Sequence, residues 1–311
     1  MRISTSYLLN NLTRDIAEQF ARMQRLSEQM STGKRLRKPS DEPLAVSRAL
    51  AIRALKAGVA QHKTNVDYAK DWLGATEGAL MKAHDVLADA ADIALRAANG
   101  TFSDDERQVF AQEVDGLISE LLGLANTEYD GRYVFAGLRT NTTPFLLVED
   151  PAEPGYPVVY QGMDGSKDIE VEPGTTIQVN TNGGATFMQG IAAAGGRNLF
   201  QILTDLREHL LEGDSSPTFQ ADIADDIAGT QAAQDKIMNI VTGIGAKIRR
   251  LDRVFGKLSE NEVELEALLS KAEDADVAKA VTELRLQEAV YKAALGAAAS
   301  VMQPSLLDYL R

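Results

Sequence analysis

The chain has 311 residues, 44% of them apolar and 6% aromatic, with a formal charge of −13, 9 prolines and no cysteine. Its length suffices for a buried core, and a composition rich in Ala, Leu, Glu, Asp, Gln and Lys favours long helices. The acidic balance argues against a general binder of nucleic acid or anionic membrane, and the missing thiols exclude disulfides, thiolate metal sites and a cysteine nucleophile.

In chain order, Leu12, Ile16, Phe20, Met23 and Met30 form one stripe of an amphipathic helix. The N-terminal segment has no apolar h-region, and no run near 18 apolar residues occurs, so neither a Sec-type signal nor a membrane span is expected. Lys34, Arg35, Arg37 and Lys38 follow between Gly33 and Pro39, and read as a solvated loop before they read as a nucleic-acid patch.

A long helix is expected to open at Ser40 or Asp41, with Glu42 and Pro43 in its first turn, and to end near Asn99 and Gly100. Within it Ile52, Val59, Val66, Leu73, Leu80, Leu87 and Ala94 hold one heptad position. Leu55, Ala69, Ala83, Ala90 and Ala97 come three residues on, with His62 and Thr76 in the same series. At 1.5 Å per residue this helix is roughly 80 Å long. Ser103 and Glu106 make a capping-box pattern ahead of Phe110, Val114, Leu117, Leu121 and Leu124, which predicts a shorter helix returning against the first.

From about Gly131 to Gly196, turn residues separate short β-branched runs: Tyr133 to Phe135, Pro157 to Gln161, Ile169 to Glu172 and Thr175 to Asn180. Asn198 then caps a helix through Glu212, and Pro217 introduces a second long helix. Its seam runs through Ile223, Ile237, Ile244, Leu251, Leu258 and Leu265, with Ile227, Val241, Ile248, Phe255 and Leu269 four residues later. Gln234 and Glu262 are polar positions on that seam, read as locally solvated or as register-setting. Gly123, Gly243, Gly245 and Gly256 interrupt the helices, either as flexible points or for close helix packing. A last amphipathic helix carries Val277, Val281, Leu284, Tyr291, Leu295 and Met302 ahead of Pro304.

The fold expected is mainly α, a long coiled-coil helical bundle rod with a small inserted β domain. Residues 1–40 and 272–311 supply paired terminal helices, residues 41–130 and 198–271 the long bundle, and residues 131–197 a β-rich outer insertion. No catalytic, cofactor-binding or metal-ligating set is legible, so the chain reads as a non-enzyme. His62, His84 and His209 offer no metal spacing.

Three stretches carry a resemblance: MRISTSYLLNNL at the start, LSEQMSTGKRLRKPSDEPLAVSRAL at residues 26–50, and EDADVAKAVTELRLQEAVYKAALGAAASVMQPSLLDYL at residues 273–310. They resemble the termini of the bacterial flagellin superfamily. The PSDEP segment from Pro39, the GRYVFAG segment from Gly131 and the short insertion look more like its hook–filament junction branch than like filament flagellin, which stays as the nearest alternative. A cytoplasmic coiled-coil adaptor is the alternative from another class.

The resemblance implies an extracellular structural subunit, secreted unfolded through the flagellar type III channel without signal cleavage. Its implied partners are further copies of itself, the other hook-associated junction protein, filament flagellin, and a cytoplasmic export chaperone at the C-terminal region. Nucleic acid and membrane are not among them, and no cofactor is implied. Leu12, Ile16, Phe20, Leu284, Tyr291 and Leu295 are the expected axial packing interface. Ile52, Val59, Val66, Leu73, Leu80, Leu87, Ile237, Ile244, Leu251 and Leu258 are the expected bundle seam.

Overall fold

The computed structural model describes residues 5–36, 38, 42–99, 102–148, 152, 156–213 and 216–302. The expected caps Ser40 and Asp41, the helix stop Gly100, and Pro304 with the tail after it lie outside the described residues. Among the described residues six α-helices run in order: α1 (Thr5–Thr32), α2 (Pro43–Asn99), α3 (Asp104–Ala125), α4 (Leu199–Glu212), α5 (Phe219–Glu273) and α6 (Val277–Met302). With 57 residues, α2 is about 85 Å long. The chain divides into two units, Met1–Gly58 with Asn261–Arg311, and Val59–Glu260, to both of which α2 and α5 contribute.

The unit Val59–Glu260 holds the core. On α2, Val66, Leu73, Leu80 and Leu87 are buried with Ala69, Ala83, Ala90 and Ala97, as the heptads require. They pack in one cluster with Val114, Ile118 and Leu121 of α3 and with Ile237, Ile244, Leu251 and Leu258 of α5. Thr76 fits this dry seam by donating its hydroxyl to the Trp72 carbonyl at 2.8 Å. The capping boxes form at Ser103 with Glu106 and at Asn198 with Gln201, so α3 and α4 start where the local sequence places them.

The β-rich segment is three separate two-stranded antiparallel sheets: β1 (Glu128–Tyr129) with β2 (Arg132–Tyr133), β3 (Phe145–Leu147) with β4 (Val158–Tyr160), and β5 (Asp168–Glu172) with β6 (Thr175–Gln178). Asp130 and Gly131, both at positive φ, turn the first hairpin. The strand expected over Tyr133–Phe135 stops at Tyr133. Val134 and Phe135 instead enter the core, where Phe135 meets Phe187 edge-on at 5.0 Å. Phe145, Phe187 and Phe200 continue that aromatic cluster onto α4. A π-helical turn at Gly184–Met188 and a 3-10 turn at Ala192–Ala194 fill the approach to α4.

Candidate assembly surface

In the unit formed by Met1–Gly58 and Asn261–Arg311, α1 and α6 pack side by side. The contact includes Phe20 against Tyr291, ring centroids 6.1 Å apart, and a hydrogen bond from the Gln287 amide to Gln19. Of the six expected axial residues, Leu12, Ile16, Leu284 and Tyr291 are partly buried. Phe20 and Leu295 keep 44% and 42% of their surface exposed.

None of the six is buried within the single chain, and α6 carries apolar residues on two faces. At 100° per residue, Leu284, Tyr291 and Leu295 face one way while Leu286 and Val290 face the opposite way. Leu286 is 66% exposed and Val290 40%. Leu286 and Val290 escape a reading based on one stripe. The full angular distribution of apolar residues around α6 reveals them.

The same poverty of burial holds across this unit. Among the described residues only Leu36, Ala49, Leu269 and Ala280 of its apolar side chains are buried, whereas Tyr7, Leu44, Leu50, Leu55, Val263 and Val277 are at least half exposed. Of the expected seam, Ile52 falls in this unit and is partly buried; Val59, just past the division, packs partly buried on the core.

At the foot of α1 and α6 lies an ion-pair cluster. Glu273, 3% exposed, accepts from Lys34 Nζ at 2.6 Å and from Arg53. Lys34 also reaches Asp274 at 3.0 Å. Hydrogen bonding to Glu273, then to Asp274, holds the Lys34 ammonium above its ordinary pKa. Arg35 pairs with Glu42 and donates to the Ala272 carbonyl at 3.0 Å. The loop expected to be merely solvated is thus engaged at Lys34 and Arg35, while Arg37 lies outside the described residues.

Two further clusters sit within Val59–Glu260. Asp226, fully buried, accepts from Arg197 at 2.7 Å and pairs with His209 Nδ1 at 2.7 Å. A cleft of about 580 Å³ between Thr181–Ala193 and Ala232–Ile240 has a mostly apolar lining of alanine and isoleucine, with amides, hydroxyls, Asp235 and Lys236 beside it. Burial lowers the Lys236 pKa, and its ammonium is spent on the Gln189 carbonyl at 2.9 Å. Among the described residues no group of three His, Asp or Glu stands in metal-holding geometry, and no helix is long and apolar enough to cross a membrane.

The family description "Bacterial flagellin N-terminal helical region" matches residues 3–140. Together with the helical fold and its paired terminal helices, that match, which covers less than half of the chain, makes it similar to flagellins in its N-terminal part. The chain is also similar to proteins named flagellar hook-associated protein 3. It is 34% identical to the Escherichia coli K12 protein of that name over 172 residues, 55% of this chain and 54% of the relative, so that alignment spans about half of the relative's length. Against the Salmonella typhimurium LT2 protein identity is 27% over 307 residues, 94% of each chain. The crystal structure of Xanthomonas campestris FlgL shares the fold, with a TM-score of 0.61 at 21% identity over 70% of this chain and 99% of that one.

Proposed function

We propose that this chain is a structural subunit joining the flagellar hook to the filament, assembling through its terminal helices. The observation that carries the reading is α6, apolar on two opposite faces and paired with α1 on one. A helix of that kind is stable in water only when a second apolar surface covers it. In a chain related over 94% of its length to a hook-associated protein 3, further copies of itself are the fitting cover. Residues 1–40 and 272–311 then form the axial core, residues 41–130 and 198–271 the surrounding bundle, and residues 131–197 the outer insertion.

On this reading the neighbours are the other hook-associated junction protein on one side and filament flagellin on the other. The chain leaves the cell unfolded through the flagellar type III channel, without a cleaved signal, after a chaperone has held its C-terminal region. The role is non-catalytic.

Electron microscopy of purified chain, alone and added to hooks already carrying the other junction protein, tests this. A thin terminal layer required before flagellin grows is the expected result. Long filaments from the chain alone point to filament flagellin, and no binding in either setting points to the adaptor. Ile16→Asp and Leu284→Asp each place a charge in the α1–α6 contact and should abolish incorporation while residues 59–260 keep their helix content. Normal incorporation of both variants removes the terminal helices from the mechanism.

A further inference from the structure

Glu273 is the last residue of α5, and its burial is unusual in a unit with so little interior. A carboxylate withdrawn from water persists where cations and donors replace the lost hydration. Lys34 and Arg53 do so here, one from the connection after α1 and one from α2. The backbone repeats the pattern. Terminal helix carbonyls have no partner within their own helix. The Ala272 carbonyl takes the Arg35 guanidinium at 3.0 Å, and that of Glu273 takes the Arg35 and Leu36 amides at 2.6 and 3.4 Å. Ala275 N–H returns a bond to the Gly33 carbonyl at 2.8 Å, closing an antiparallel bridge at Lys34 and Asp274.

We propose that Glu273 is the positioning residue for self-assembly: it clasps the α1–α2 connection to the α5–α6 connection and so fixes the offset between the two terminal helices. This rests on the assembly reading above. α1 ends at Thr32 and α6 begins at Val277, so the clasp stands at the root of both. The offset it sets places Phe20 opposite Tyr291, a contact too exposed to choose its own register. Charge supports the pairing along the sequence as well. Residues 34–56 hold seven Lys or Arg against two Asp or Glu, and residues 262–276 hold six Asp or Glu against one Lys. Lys56 with Glu266 is a further pair between the same two stretches.

The test compares the unaltered full-length chain with Glu273→Gln, which keeps the shape and removes the charge, and with Glu264→Gln at an exposed acid. Hydrogen exchange followed by mass spectrometry should show residues 5–32 and 277–302 losing roughly tenfold protection in Glu273→Gln alone, with residues 66–94 unchanged. The protein concentration needed for assembly should rise by a similar factor, about tenfold. Glu273→Asp, which keeps the charge, should recover most of both. In the unaltered chain, raising KCl from about 0.05 to about 1 M should lower terminal protection, because screening weakens these half-exposed pairs.

Wild-type protection in Glu273→Gln, or lost protection with undiminished assembly, overturns the proposal. If Glu273→Gln loses structure throughout, the salt series decides, and protection indifferent to KCl counts against the clasp. An unaltered chain that never self-associates overturns the functional reading and with it the role in assembly, while the exchange arm still reports on the clasp by itself.

Discussion

Gly123, Gly243 and Gly256 stand on exposed helix faces with open space where a Cβ would be. Close helix packing therefore does not explain them, and at Gly245 an added Cβ meets only side-chain atoms at 3.5 Å or more. Replacing Gly243 and Gly256 by Ala should raise the unfolding free energy by about 0.5–1 kcal/mol each, seen as a higher urea midpoint at unchanged slope. Gly137 is the opposite case. Its φ is +65° and a Cβ would stand 1.9 Å from the Met163 carbonyl oxygen, across the bridge joining the two segments. Gly137→Ala should cost more than about 2 kcal/mol in the same measurement. Sequence flags a glycine; only the surrounding backbone says whether it is required.

At the scale of elements, α4 was legible to the residue because its start signal is local. Asn198 and Gln201 bond each other's backbone amides at 2.9 Å. Asn198→Ala should remove about 1 kcal/mol of stability, measured by chemical unfolding. The strands were less legible for a matching reason. β1 and β3 span two and three residues, too short for alternation to register. Phe135 is buried but lies past the end of the strand expected for it, since apolarity reports environment before it reports φ and ψ.

The tie between α4 and α5 was invisible, because His209 and Asp226 are distant in sequence and unremarkable alone. Burial opposes the His209 charge, but Asp226, with Asp222 and Asp205 near, outweighs it and raises the pKa above 6.5. Arg197 is the cation sharing that carboxylate. A histidine whose folded pKa is raised lends stability that is complete below its unfolded value and lost as pH rises through the folded one. Unfolding free energy measured upward from about pH 6 should therefore fall more steeply for the unaltered chain than for His209→Gln. Equal slopes would show that this pair does not contribute.

For the whole molecule, the heptads predicted which faces seek a partner but not whether that partner belongs to the same chain. Val66 to Leu87 and Ile237 to Leu258 find theirs within Val59–Glu260. Leu55, in the same pattern, is 61% exposed. Among the described residues, 43 of 47 buried apolar side chains lie in Val59–Glu260. A coiled-coil period carries no information on this division, because intramolecular and intermolecular seams obey the same geometry.

The thin burial around α1 and α6 has a thermodynamic corollary. Helices held by so little interior are cheap to open in a dilute chain, and binding to a neighbour stabilises them by mass action. Their melting should consequently move upward with protein concentration, while that of residues 59–260 stays fixed. On the proposed assembly, the local concentration of neighbouring copies, rather than the sequence acting alone, decides when the terminal helices become rigid.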